Sequence, residues 1–467
     1  MQCTDQEDTR ARDRPFNCYR VPKTAPALDL VADLINQLEK YEEFKGLRKR
    51  RRKDKDQDTF KKVVAAVVCD VIHGYLINPE QELTVALSKR VLGHVSRYRP
   101  LWYGKVFSVV LERLAVPEMG FIEMDKGSRK EGRRTTIKAG HRLVNRIKDN
   151  QLQLGDFMLD DGEEVILLKP PKEYRGKEKR SGKPLEYDDD PTTDRLRWEM
   201  LEINRWIADA QIAYLPIHTM GGTIPGIDTS QRQLQRHFNN ASFCEGGRLF
   251  GGFWQSLKKS QRAGGLYING ERVVTLDYSN MLLRLLYSLE GLEPPEGDGY
   301  MLPGLEMCRR GVKKAFSALP FLNRESRGFP GETGEGFPDS VKWPEVVDKM
   351  KQAHPQIAHH FFTGIGYGMM YLESCIMVDV LLTLKEWGIV ALPVHDAVVV
   401  PESAATVATE VMLDIFRNHT GITGKVEREG GRPAGYLTHK EDRTASTIPL
   451  TSTGICLISS PLQLTPQ

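Results

Sequence analysis

The chain has 467 residues and a formal net charge of +3. This length predicts two or three domains. Hydrophobic residues make up 40% of the chain and charged residues 27%, which is an ordinary globular composition. Such a composition excludes a wholly disordered chain, a collagen and a disulfide-rich mini-protein.

The protein is expected to lie in a reducing cytoplasm and not to bind a membrane. Residues 1–22 are polar and charged and have no apolar segment typical of a signal peptide. The longest apolar stretch, residues 371–400, is interrupted by charged side chains and is not expected to span a membrane. The seven cysteines are scattered without a C-x-x-C pair, which argues against a disulfide framework and a zinc ribbon.

Four segments follow one another in the predicted domain organisation. Residues 1–26 are polar, carry three prolines and are predicted to be disordered. Residues 27–225 are predicted to form a basic, mainly helical region, and residues 226–440 a catalytic domain. Residues 441–467 are rich in Ser, Thr and Pro and are predicted to be a disordered tail.

Apolar periodicity defines the elements expected in the N-terminal region. Helical spacing predicts helices at residues 27–44, 60–77, 83–114 and 196–214. Alternation around an Asp-Gly turn predicts a pair of strands over residues 158–170.

Basic residues form three blocks in the first half of the chain, at residues 45–55, 129–148 and 172–183. Contact with a phosphate backbone is the functional interpretation of such blocks. For any single block, a solvated surface is an equally good interpretation. Three blocks together favour a nucleic-acid partner.

In the second half, two short β-branched runs each lead to an aspartate. Residues 273–276 predict a buried strand that ends at Asp277, and an amphipathic helix is predicted after it at residues 280–290. Residues 389–400 predict a β-hairpin with a His-Asp pair near its tip, between two long apolar helices. The expected fold class is therefore α+β, a small antiparallel sheet backed by helices.

The two aspartates, Asp277 and Asp396, suit two-metal phosphoryl transfer. That chemistry uses two divalent ions about 4 Å apart, one activating a 3′-hydroxyl and one steadying the leaving pyrophosphate. Carboxylates from neighbouring strands can bridge such ions together with backbone and phosphate oxygens. The alternative is structural: Asp277 would cap the following helix and Asp396 would make a hairpin turn.

A basic pair lies between the aspartates in the sequence. Arg309 and Lys313 are four residues apart, so on a helix they share one face. There they could hold the phosphates of a nucleoside triphosphate and neutralise charge that develops on pyrophosphate. A solvated basic helix face is the alternative.

The order of these motifs resembles family A nucleic-acid polymerases, the superfamily of bacterial DNA polymerase I and the single-subunit phage-type RNA polymerases. In chain order, the motifs are Asp-Tyr-Ser at 277–279 with Arg284, then Arg309 and Lys313, then Val-His-Asp at 394–396. Gly-Gly-Arg-Leu at 246–249 is similar to the Thr-Gly-Arg-Leu segment that precedes the first motif in the DNA polymerase branch. The resemblance covers about residues 240–420.

The resemblance implies a right-hand polymerase fold with a palm, compact helical fingers and a thumb-like N-terminal region. The metal ligands that it implies, for two Mg²⁺ or Mn²⁺ ions, are the catalytic Asp277 and Asp396 with the Tyr278 carbonyl. The nucleotide-binding residues that it implies are Arg309, Lys313, Tyr278, Leu282 and Phe321. The residues that it places near nucleic acid are Arg248, Arg284 and His395, with Arg248 either contacting the nucleic acid or bracing the site.

Several positions depart from the family pattern. Leu282 replaces the glutamate that excludes a ribose 2′-hydroxyl in the DNA polymerases, so the choice of sugar stays open. Ala397 replaces a carboxylate that is common there after the catalytic aspartate, which is similar to the RNA branch. Ser317 replaces an aromatic residue, and Pro320 predicts that the helix kinks or ends before Phe321.

The leading hypothesis is a template-directed nucleotidyltransferase, a DNA polymerase that extends a primer with deoxynucleoside triphosphates on a DNA or RNA template. No exonuclease signature is identified in the sequence, so proofreading is not expected. The small size suits a phage, a plasmid or another mobile element, or a role in repair or defence. Two alternatives stay open: a primer-independent RNA polymerase or primase on the same palm, and a catalytically inactive nucleic-acid-binding protein. The sequence does not indicate an oligomeric state.

Other functional classes have little support. The sequence has no Walker motif and no dinucleotide-binding motif, which argues against an ATPase and a dehydrogenase. His354, His359 and His360 lack a spacing typical of zinc ligands, so surface or packing roles are predicted for them.

Overall fold

The structure, a computed structural model, has a mixed α+β fold in which helices pack on several small sheets. It describes residues 14–128, 130, 132–175, 178–180, 182–215 and 227–429. The predicted tail at residues 441–467 and the predicted domain boundary between residues 225 and 226 lie outside this part of the chain.

Helices occur along the whole described chain. They are α1 (Ala25–Phe44), α2 (Asp54–Ile77), α3 (Lys89–Leu92), α4 (Lys105–Leu114), α5 (His141–Asp149), α6 (Pro191–Asp209), α7 (Phe253–Ser256), α8 (Lys259–Gly265), α9 (Met281–Leu289), α10 (Arg309–Ala318), α11 (Trp343–Ala353), α12 (Gly366–Glu386) and α13 (Ala405–Thr420).

The strands are mostly short. They are β1 (Arg14–Pro15), β2 (Arg20–Pro22), β3 (Leu83–Val85), β4 (Ile122–Asp125), β5 (Thr135–Ala139), β6 (Phe157–Leu159), β7 (Ile166–Leu168), β8 (Glu173–Arg175), β9 (Glu178–Arg180), β10 (Ile212–Tyr214), β11 (Gln235–Asn239), β12 (Ser242–Phe250), β13 (Leu266–Ile268), β14 (Glu271–Tyr278), β15 (Leu392–Val394), β16 (Ala397–Pro401) and β17 (Val426–Arg428).

Two hydrophobic cores follow each other along the chain. The first is built by α1, α2, α4 and α5 with a sheet of order β1-β3-β5-β4, and its last residue is Phe157. The second begins at Val165 and extends to Ile422. The cores therefore separate between residues 157 and 165, earlier in the chain than the predicted boundary.

Of the segment predicted to be disordered, residues 14–26 are described, and they are ordered. Strand β1 pairs with β3, and β2 pairs with β6. Asp70 on α2 is fully buried and accepts hydrogen bonds from Arg14 at 2.8 and 2.9 Å and from the Arg20 Nε at 3.1 Å. The backbone N–H of Asn17 donates to the same carboxylate at 2.7 Å. The prediction of disorder from polar composition was wrong here, because these polar groups form hydrogen bonds with the buried carboxylate of Asp70.

Three other predictions in this region need correction. Residues 83–114 are not one helix but contain β3, α3 and α4. Strands β6 and β7 do not pair with each other, because β6 pairs with β2 and β7 pairs in parallel with β11. The helix predicted over residues 196–214 ends at Asp209, and β10 follows it.

The second core surrounds an antiparallel sheet of order β10-β13-β14-β16-β15, with β17 also paired to β14. Residues 273–276 of β14 and residues 398–400 of β16 are buried without a break. A continuous apolar run is typical of a strand that is covered on both faces. Helices α12 and α13 pack together beside this sheet.

Most elements predicted around the two aspartates are confirmed. They are the strand β14, the helix α9, the β15–β16 hairpin and the flanking helices α12 and α13. The basic helix α10 ends at Ala318, and a 3-10 turn at Leu319–Phe321 follows. This ending agrees with the break predicted at Pro320, since proline lacks the N–H that a continuing helix needs.

Within the described residues, one helix is long and apolar enough to cross a membrane by length and composition, and it is α12. Half of its most apolar window is buried inside the protein. It contributes residues such as Ile376, Val380 and Leu384 to the second core. A core helix passes the same test of length and composition, and we interpret α12 as one.

Candidate active site

Asp277, near the end of β14, lies beside Asp396, which is in the turn that leads into the adjacent antiparallel strand β16. In the register of β14 and β16, Asp277 is opposite Ala397, the residue after Asp396. The Tyr278 amide donates a hydrogen bond to the Asp396 carbonyl oxygen at 3.2 Å. His395 and Asp396 form the two-residue loop between β15 and β16, and His395 adopts a left-handed φ of 58°. The hairpin thus brings together two aspartates that are far apart in sequence.

The third strand at this position, β17, adds carboxylates that the sequence did not reveal. Glu427 is opposite Asp277 in the β14–β17 register, and directly opposite residues share one face of a sheet. The Glu429 amide donates to the Thr275 carbonyl at 2.9 Å, and its carboxylate forms a close ion pair with Lys259. A three-residue strand with no apolar alternation offers no sequence signal for this pairing.

The electrostatics of this carboxylate cluster favour a cation. Burial, followed by the negative charges of Asp396 and Glu429, raises the pKa of Asp277 to about 7. Lys259 and Lys313 oppose that shift only in part. Because burial and neighbouring negative charges both disfavour the ionised form of Asp277, a cation would relieve this penalty, and carboxylate oxygens are the ligands that a divalent ion such as Mg²⁺ prefers.

The basic helix α10 faces the same cluster. The Lys313 charge acts on Asp277 and, after the stronger effect of Lys425, lowers the pKa of Glu427. The Lys313 ammonium lies 5.9 Å from the centre of the Tyr300 ring. Arg309 begins α10 one turn earlier and forms a close ion pair with Asp298. Both basic side chains are exposed and could contact an anion placed over the carboxylates.

Arg248 lies within electrostatic reach of Asp396 and is held by a glutamate. Its Nε and Nη2 donate to the two oxygens of Glu373 at 2.6 and 2.9 Å. Glu373 is buried in α12, and burial raises its pKa while Arg248 opposes the rise. This ion pair anchors Arg248 to α12 and leaves its side chain 31% exposed. The Phe250 ring meets the His395 ring edge-on at 5.9 Å.

The Tyr278 side chain points into the core and away from the cluster. Its hydroxyl donates to the Met412 carbonyl at 2.6 Å, and its ring lies 5.6 Å from Phe416. The metal contact that the resemblance implies for Tyr278 uses its carbonyl, which a buried side chain leaves unaffected, whereas the side chain itself is not placed to bind a nucleotide. Leu282, the second residue of α9, is partly buried and packs on the core.

Two other predicted residues have protein partners. The Arg284 Nη1 donates to the Thr423 carbonyl at 2.8 Å, so it fixes the segment that leads into β17. The structure gives Arg284 this structural partner, whereas the resemblance implied a contact with nucleic acid. Phe321 meets Tyr367 edge-on at 5.1 Å, beyond the end of α10.

Models of known protein families do not match this sequence, and a search of curated proteins finds no match either. The arrangement of Asp277, Asp396 and Lys313 is therefore the main basis for assigning a function.

Proposed function

We propose that the protein is a template-directed nucleotidyltransferase with a family A-like palm, and that it extends a DNA primer with deoxynucleoside triphosphates without proofreading. The observation that carries the proposal is the pair of carboxylates formed by Asp277 on β14 and Asp396 in the turn before the adjacent strand β16, with the ammonium of Lys313 acting on Asp277 from a separate helix. A hydrolase would not need a basic helix placed for a triphosphate.

In this proposal, two bound Mg²⁺ or Mn²⁺ ions would activate the primer 3′-hydroxyl and steady the leaving pyrophosphate. Asp277 and Asp396 would hold these ions, and both carboxylates would then be ionised, because a nearby cation favours the charged state of a carboxylate. Lys313 neutralises the triphosphate as negative charge moves to the pyrophosphate. Arg309 also binds a phosphate of the triphosphate, after its ion pair with Asp298 breaks. Arg248, held by Glu373, keeps the part of the cluster near Asp396 in place.

A primer-independent RNA polymerase or primase is the second candidate. Leu282 packs where the DNA branch has a glutamate, and Ala397 follows the catalytic aspartate where that branch has a carboxylate. Both residues are compatible with ribonucleotides. The Asp-Tyr-Ser segment with Arg284 favours the DNA branch, and we therefore put DNA synthesis first.

Extension of a labelled primer on a single-stranded template tests the proposal. Reactions contain Mg²⁺ or Mn²⁺ with either deoxynucleoside or ribonucleoside triphosphates, and one reaction omits the primer. We expect templated products with deoxynucleotides, and less than roughly 1% of the rate in Asp277→Ala and Asp396→Ala, since losing one group that stabilises transition-state charge costs about 10²–10³-fold. Asp348→Ala, which removes an exposed carboxylate on α11, is the matched control.

The other outcomes are distinct. Products from ribonucleotides without a primer would replace the proposal by the RNA polymerase or primase. Tight, salt-sensitive nucleic-acid binding without product in any reaction would replace it by an inactive binding protein. Products that persist in both aspartate variants would show that the cluster is not the catalytic site.

A further inference from the structure

Two histidines and a glutamate meet on the surface, apart from the carboxylate cluster. His360 Nε2 lies 2.7 Å and His359 Nε2 3.2 Å from the same oxygen of Glu290. One potential ligand atom from each of the three side chains falls within 4.8 Å of the others, and the two imidazole rings are 4.0 Å apart. Among the described residues, this is the one such group of three or more metal-ligating side chains.

The donor set is that of a first-row divalent metal ion. Two imidazole nitrogens with one carboxylate oxygen suit Zn²⁺, whereas Mg²⁺ prefers oxygen ligands alone. Ligand atoms around a tetrahedral zinc ion, each at about 2 Å, lie roughly 3.3 Å apart. The two separations from Glu290, 3.2 and 2.7 Å, are close to this spacing, and the two histidine nitrogens lie within 4.8 Å of each other, so side-chain movements would complete the site and leave a fourth position for water.

The position of the cluster in the fold gives the ion a structural role. Glu290 caps the C-terminus of α9, the helix that follows the strand of Asp277. The histidines lie in a 3-10 turn at Ala358–His360, just before α12. The next residues dock on the end of α10, where the Phe362 amide donates to the Leu319 carbonyl at 3.0 Å. An ion would therefore connect α9 to the turn that packs against the helix of Lys313.

The backbone of this turn is strained. Phe362 has a left-handed φ of 63°, which is unusual for a bulky side chain. Such a conformation persists where the surroundings hold the chain in place. The hydrogen bond to Leu319 holds the chain in place at Phe362 itself, and a metal ion that bridges His360 and Glu290 would hold it in place just before Phe362.

We propose that Glu290, His359 and His360 bind one Zn²⁺ ion, or a chemically similar first-row divalent ion, which fastens α9 to the turn before α12. The site does not depend on polymerase activity, because it uses none of the residues of the carboxylate cluster. The competing explanation is a simple ion pair between Glu290 and protonated histidines.

Calorimetric titration of the metal-free 467-residue chain with Zn²⁺ tests the site, in excess Mg²⁺ so that oxygen-only sites are already filled. The variants are Glu290→Gln, His359→Asn and His360→Asn. The matched control is His419→Asn, because His419 is also a surface histidine paired with a carboxylate, Asp379, at 2.6 Å. The absorption spectrum of bound Co²⁺ and the melting temperature with and without Zn²⁺ are read for each protein.

We expect one tight equivalent of Zn²⁺, a tetrahedral Co²⁺ spectrum and a higher melting temperature in the wild-type protein and in His419→Asn. Each of the three ligand variants should weaken binding by at least roughly tenfold and remove the thermal shift. Absence of tight Zn²⁺ binding in the wild type, or equal binding in the ligand variants, would overturn the proposal. Because these readouts do not involve catalysis, an inactive enzyme would leave the result interpretable.

Discussion

Asp277 has an unusually high pKa for a carboxyl group, and this has a consequence for stability. Its pKa rises from an ordinary value of 3.8 to about 7, first through burial and then through repulsion from Asp396 and Glu429. Between these two values the folded protein holds a proton that the unfolded chain has released. Binding of this proton to the folded state increases the free energy of unfolding. The full contribution is present below pH 4 and is lost as the pH rises through 7.

We therefore expect Asp277→Asn to unfold at a higher urea concentration than the wild type at pH 8 without metal. The gain should be about 2–4 kcal/mol, since one pKa unit is worth about 1.4 kcal/mol, and it should fade towards pH 4. Adding Mg²⁺ should stabilise the wild type and leave the variant unchanged, because the amide is a poorer metal ligand than the carboxylate.

Urea unfolding at pH 4, 6 and 8, with and without Mg²⁺, measures these differences. Asp348→Asn on α11 serves as the exposed control and should follow the wild type. Two results would contradict the interpretation that these carboxylates repel one another and bind a metal ion. One is a gain in the free energy of unfolding of Asp277→Asn that does not depend on pH. The other is equal stabilisation of the wild type and Asp277→Asn by Mg²⁺.

At the scale of elements, the segment before α1 is anchored to α2 by one buried carboxylate. Asp70 is fully buried and receives the guanidinium groups of Arg14 and Arg20 together with a backbone amide. Removing one partner of such a network leaves buried charges uncompensated, which costs about 3–5 kcal/mol. The effect of a change here should therefore extend over the whole first core.

Asp70→Ala should lower the free energy of unfolding by about 3–5 kcal/mol and expose the segment of β1 and β2 to protease. Urea unfolding and limited proteolysis measure both effects. Asp58→Ala is the control, because Asp58 forms an exposed ion pair with Lys62 at 2.9 Å on the same helix. That control should cost less than about 0.5 kcal/mol, and an equal loss in both variants would refute the anchoring role.

At the scale of the whole molecule, the basic block at residues 45–55 contains some side chains that are neutralised by ion pairs and others that are exposed and could bind a nucleic acid. Lys45 pairs with Glu118 at 2.9 Å, and Arg52 pairs with Glu42 at 2.5 Å. Between them, residues 48–51 are four consecutive exposed basic side chains. Much of the third block, at residues 172–183, lies outside the described side chains.

Replacing all four basic residues at 48–51 by Gln should weaken binding to single-stranded DNA of any sequence. The slope of log affinity against log salt should fall by up to about 3, because each phosphate contact on a single strand contributes roughly 0.7. Fluorescence anisotropy over a range of salt concentrations measures this slope. The double control Lys40→Gln with Lys61→Gln changes exposed lysines outside the block, and a slope equally reduced in that control would exclude a specific role for the block.

Local sequence patterns predicted most of the second core and part of its site. The β-branched runs of β14 and β16 and the apolar faces of α9, α12 and α13 each lie within a short stretch, where side-chain periodicity alone specifies the element. Asp277 and Asp396 followed from their positions at the ends of such runs. In the first core, the patterns failed at residues 14–26 and 83–114, because burial by distant residues outweighed local composition.

The sequence by itself determined the mixed α+β class, the order of the motifs and the end of α10 at Pro320, since each depends on neighbouring residues. Only the tertiary structure decided which side chains meet. Glu427 and Glu429 join Asp277 through the pairing of β17, and Glu290 meets His359 and His360 across about 70 positions of the chain. Such contacts depend on how elements pack, and no local period or spacing in the sequence encodes that packing.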